Sequence, residues 1–141
     1  MTTDNKSDGL ALLIRYNELK KRLNNSTAML IALRDSGGPG RGGARISTES
    51  LIREVLRVSR RRQEILRQMC AIEEAVGRLD RRSMRLIQWR YFLKAKREPI
   101  ARRLGVSLRH YSRLKAAALE ALGGLMLSDP EVSALLRQPL P

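Results

Sequence analysis

The chain has 141 residues, about the size of one domain, with 43% apolar residues but only 4% aromatics. Its core must come from Leu, Ile, Val, Ala and Met, which suits packed helices better than a sheet, so the expected fold class is all-α. The formal charge of +14 calls for a polyanionic partner.

The apolar runs at residues 10–14 and 29–33 fall far short of the ~20 residues a membrane span needs, so no membrane partner is expected. No segment resembling a signal peptide opens the chain. Cys70 stands alone, which leaves no internal disulfide and points to a cytoplasmic protein.

In chain order, residues 1–8 are polar and read as a frayed end. An N-terminal amphipathic helix within residues 1–35 carries the stripe Leu12, Tyr16, Leu19, Leu23, Ser26, Leu30 and Leu33, in steps of four and three. A Gly-rich linker over residues 36–46 interrupts it. A long basic heptad helix follows over residues 47–79, with Ser47 or Thr48 as cap. Its stripe runs Leu51, Val55, Val58, Arg62, Ile65, Met69, Ile72, Val76 and Leu79, broken only by Arg62, and Gly77 is a place for a bend. Cys70 reads as a small apolar residue beside that stripe. The two helices can fold back on each other as a hairpin, or the long one can pair with its copy in a homodimer. Arg53, Arg57, Arg60, Arg61 and Arg67 lie on the other face, a solvated surface or a second nucleic-acid contact.

The pattern then changes to that of a helix-turn-helix domain over residues 80–124. Asp80 caps a helix over residues 81–94, with Met84, Ile87, Trp89 or Gln88, Tyr91 and Phe92 as core. Pro99 fits a first helical position. Ile100 and Leu104 face inward, Ala101 permits a close crossing, Gly105 suits a left-handed turn, Val106 plugs the corner and Ser107 caps the next helix. That helix, residues 107–122, buries Tyr111, Leu114, Ala118 and Leu122. Its opposite face gathers Arg109, Ser112, Arg113 and Ala116. Arg109, Ser112 and Arg113 are the expected base contacts, and Arg97, Arg102, Arg103, Ser107, His110 and Lys115 the expected phosphate contacts. Residues 80–115 hold twelve Lys and Arg against Asp80 and Glu98, a net +10. The chain should leave the helix at Gly123-Gly124. In the C-terminal tail, residues 125–141, Ser128-Asp129-Pro130-Glu131 can cap one short helix through Leu136, ended by Pro139 and Pro141; the rest is a docking segment or disordered. No second His accompanies His110 and no partner accompanies Cys70, so neither a catalytic constellation, a metal site nor a cofactor is expected, and the chain reads as a non-enzyme.

Residues Ile87-Gln88, Tyr91-Phe92, Gly105-Val106-Ser107, Arg109 and Arg113-Leu114-Lys115 resemble the promoter-reading C-terminal domain of bacterial sigma factors. More closely, they resemble the RinA/ArpU group of phage and prophage transcriptional regulators, which carry a sigma-like helix-turn-helix at the C-terminus. The resemblance covers about a third of the chain. It implies a regulator of late phage genes that binds double-stranded DNA in the bacterial host cytoplasm; RNA polymerase is a candidate partner, and the sequence leaves open whether it is contacted directly. Leu108 and Ala116 stand where that group commonly has polar residues, and the tail beyond Gly124 has no counterpart. Two other functions fit the same composition: a phage DNA-packaging component like a small terminase subunit, and a basic coiled-coil interaction protein that binds RNA or RNA polymerase.

Overall fold

The computed structural model describes residues 4–36 and 47–141, so the linker expected at residues 36–46 lies outside them except for the helical backbone of Ser36. The described residues are all-α, with no strand among them. In order they form α1 (Asn5–Ser36), α2 (Thr48–Gly77), α3 (Arg81–Ile87) continuing into a π-helical turn (Gln88–Phe92), α4 (Arg97–Leu104), α5 (Leu108–Ser128) and α6 (Pro130–Leu135). Two compact units result: residues up to 17 with 70–139, and residues 18–69 with 140–141.

The second unit is built on the two expected stripes. Leu19 and Ser26 of α1 and Val58, Ile65 and Met69 of α2 are buried. The hairpin arrangement is thus the one present, and these heptad positions are covered within the chain. Ser47 caps α2, its Oγ accepting from the Ser50 amide at 3.2 Å. Arg62 is half-buried in the stripe, and its Nε is buried without a hydrogen-bond partner among the described residues. Cys70 is exposed, not apolar filling: it lies one residue beyond Met69 and so faces off the stripe.

In the first unit α1 begins at Asn5, earlier than a frayed end over residues 1–8 would allow, because Asp4 caps it: its Oδ1 accepts from the Ser7 amide at 3.3 Å. α2 stops at Gly77, two residues short of the expected end. Asp80 caps α3 as expected, accepting from the Ser83 amide at 3.2 Å. That helix ends earlier than residue 94 through a π-helical turn, in which the Leu93 amide donates to the Gln88 carbonyl at 2.9 Å, and Lys94 takes a left-handed φ of 56°. Leu86 and Ile87 are buried, while Met84, Gln88, Trp89, Tyr91 and Phe92 are half-buried. Phe92 stacks on Tyr16 at 4.3 Å between centroids, and the Tyr16 hydroxyl donates to Glu73 at 2.7 Å.

The expected helix end at Gly123-Gly124 is wrong, since α5 runs on to Ser128. The glycines serve a close helix crossing. A Cβ on Gly123 would stand 1.7 Å from the Asn5 carbonyl oxygen, and one on Gly9 would stand 2.2 Å from that of Leu119. Only residues without a side chain let α1 and α5 touch backbone to backbone. Beyond α5, Asp129 caps α6 through the amides of Glu131 and Val132 and pairs with Arg78 at 2.6 Å. The tail after α6 is held rather than loose: buried Arg15 donates to the carbonyls of Gln138 at 2.9 Å and Pro139 at 3.3 Å. A buried guanidinium needs acceptors, and these carbonyls provide them.

Candidate nucleic-acid interface

α4, a three-residue turn and α5 are positioned by their own local chemistry. Pro99 is the third residue of α4, not the first; its missing amide still falls among the four that have no intrahelical partner, so it costs the helix no bond. At the other end Gly105 has φ 68°. The Val106 amide donates to Ala101 at 3.0 Å and the Gly105 amide to Arg102 at 3.1 Å, the paired bonds of a Schellman end. Ser107 is extended, and its Oγ accepts from the His110 amide at 3.1 Å to start α5. Leu86, Ile100, Ala101 and Tyr111 form the buried cluster beneath, with Leu104, Val106 and Leu114 packed against it.

That cluster fixes which side of α5 faces out. Tyr111, Ala118 and Leu122 are buried and Leu114 is half-buried. Arg109, Ser112 and Arg113 are exposed on the opposite side of the N-terminal half, three and four residues apart, so they share one face. Ser112 Oγ is engaged with the Leu108 carbonyl at 3.2 Å, and Ala116 is half-buried at the edge of this face.

The other residues expected at the interface fall into two groups. Arg97, Arg102, Arg103, Ser107 and His110 are exposed. Arg97 is paired with Glu98 at 3.4 Å, and the Arg103 guanidinium lies over the Trp89 ring at 5.6 Å, which stiffens it. Lys115 belongs elsewhere. It is half-buried and turned roughly 120° around α5 from Arg109, toward Tyr111. Burial, and then Arg90, lower its ammonium pKa below the ordinary lysine value. The segment's remaining cations have no ion pair among the described residues; Glu98 on Arg97 is the sole acidic partner seen there. Arg90, half-buried in the π-helical turn, is a residue the sequence pattern gave no role. It lies within the irregular turn, which no periodicity announces.

Among the described residues, no helix is long and apolar enough to cross a membrane. No protein-family model matches the chain, and no curated protein or solved structure shows a significant match to it.

Proposed function

We propose that this chain is a sequence-specific, double-stranded DNA-binding regulator that inserts the N-terminal half of α5 into a major groove. One observation carries the reading. α5 has one face locked in the core by Tyr111, Ala118 and Leu122. On the other it offers Arg109 and Arg113, free of any ion pair among the described residues, within a segment of net +10. An arginine so placed reads guanine through paired donors, while Arg97, Arg102, Arg103, Ser107 and His110 along α4 and the turn meet phosphates. The resemblance of residues 87–115 to phage and prophage regulators of the RinA/ArpU kind supports late phage genes as the target.

The test is selection of a preferred duplex from random sequences, followed by binding of variants at fixed salt. Arg109→Ala and Arg113→Ala should each cost about 1–3 kcal/mol on the selected site and relax its sequence preference. If the chain selects no sequence and holds unrelated duplexes equally well, base reading is wrong and the basic coiled-coil alternative takes its place. A ring-sized oligomer in light scattering would favour the packaging component.

A further inference from the structure

Half of the residues from 52 to 67 are charged, yet one side of α2 carries no charge there. Ile52, Leu56, Ser59, Gln63 and Leu66 recur in steps of four and three, within roughly 80° of one another around the helix. This second stripe lies roughly 100° round α2 from the buried Val58, Ile65 and Met69. Its aliphatic members stay in solvent: Ile52 is 54% exposed, Leu56 48% and Leu66 37%. A single exposed leucine is ordinary, but three aliphatic side chains on one heptad-spaced, charge-free face mark a contact surface.

The face is also shaped for a helix. A hollow of about 250 Å³ opens in it, lined by Ser59, Arg62, Gln63 and Leu66 of α2 and by Leu30 of α1. The four α2 residues are spaced i, i+3, i+4 and i+7, the set that forms a hole for a knob from a facing helix. A polyanion finds no cation along the stripe, and a charged helix would leave its own charges unanswered there. The stripe does match itself, in either direction. Parallel pairing sets each residue against its own copy. Antiparallel pairing sets Leu56 against Leu66 of a second copy and Ser59 against that copy's Gln63. Both ways, apolar meets apolar and polar meets polar.

We infer that the Ile52, Leu56, Ser59, Gln63 and Leu66 face of α2, with the hollow beside it, binds the same face of a second copy of this chain. The hairpin already buries the Val58, Ile65 and Met69 stripe within one chain, so self-association falls to the second stripe. Such pairing needs no DNA.

Sedimentation of the full chain, free of nucleic acid, tests it. The mass should rise from monomer toward dimer as concentration climbs from about 1 to about 100 µM. Association should tighten as salt is raised, because two chains of net +14 repel each other. Leu66→Glu should weaken it by about a hundredfold or more, since each dimer must then bury two carboxylates in apolar layers. Its melting in dilute solution should match wild type, because Leu66 is exposed in the single chain. Disulfide formation then reads the direction, as it needs Cα atoms within about 7 Å. In a Cys70→Ser background, crosslinking only when Leu56→Cys and Leu66→Cys chains are mixed supports an antiparallel pair. Crosslinking of each alone supports a parallel one. A monomer at every concentration overturns the proposal. So does a Leu66→Glu chain that associates like wild type, association with no crosslink in any arm, or association that salt dissolves, the mark of a bridging polyanion.

Discussion

The chain has two arginine-rich regions, and they are electrostatically unlike. α2 carries six Arg against five Glu, a net +1, whereas residues 80–115 carry twelve Lys and Arg against two acids. In α2, Arg57 pairs with Glu54, and Arg67 pairs with Glu64 at 2.6 Å, each three residues back on the same face. In the second region only Arg97 has an acidic partner among the described residues. An arginine count therefore does not mark a nucleic-acid surface; what marks it is charge the protein leaves uncompensated.

The widest test of this contrast is neutralisation on each side. Replacing Arg102, Arg103, Arg109 and Arg113 by Gln should weaken duplex binding by about a hundredfold or more, with the salt slope falling by about 0.9 for each phosphate no longer neutralised. The same change at Arg57 and Arg67 of α2, which Glu54 and Glu64 already answer, should stay within about twofold of wild type. An equal weakening from both sets, measured by fluorescence anisotropy, would erase the distinction.

Next in size is the scaffold that presents the cationic side. Gly123→Ala should destabilise by about 3 kcal/mol, since the new methyl meets backbone at Asn5 rather than a movable side chain. Denaturant unfolding checks this. Ser107→Ala, which removes the cap of α5, should cost about 1 kcal/mol and leave the α2 ion pairs as they are.

The smallest effect belongs to α2 itself. Hydrogen bonds from Arg67 and then Gln68 lower the Glu64 carboxyl from an ordinary 4.5 to about 2. Its folded value is depressed, so any stability it contributes is present above the ordinary value and is lost as pH falls through about 2. The pair is largely exposed, so that contribution should be under about 1 kcal/mol. Carbon-detected titration should show the low midpoint in wild type and a rise toward 4.5 in Arg67→Met.

The helical stripes, the Gly105 turn and the caps at Asp80 and Ser107 were legible in the sequence because each depends on neighbours a few residues away. The misreadings arise where a residue answers to something distant. Gly123 looks like a helix breaker, yet it sits inside α5 because Asn5 lies against it. Lys115 looks like one more surface cation, yet it is half-buried on α5, and burial is the first cause that lowers its ammonium pKa. Pro99 shows that a cue fixes a boundary only within one turn of helix, since it is equally tolerated at the third position. Of the candidate interface, the shared face of Arg109, Ser112 and Arg113 and the burial of Tyr111 could be read from spacing, while the half-burial of Lys115 could not.

The glycine crossing between α1 and α5 also dictates an order of events. Gly9 meets Leu119 and Gly123 meets Asn5, so the first unit joins segments more than a hundred positions apart. During synthesis the start of α1 leaves the ribosome long before its seat on α5 exists, and it waits while the intervening chain is made. Closing so large a loop is slow. A fragment starting at residue 70 would leave Gly123 facing solvent and expose the apolar surface that Leu12, Leu13 and Tyr16 help bury in the intact unit.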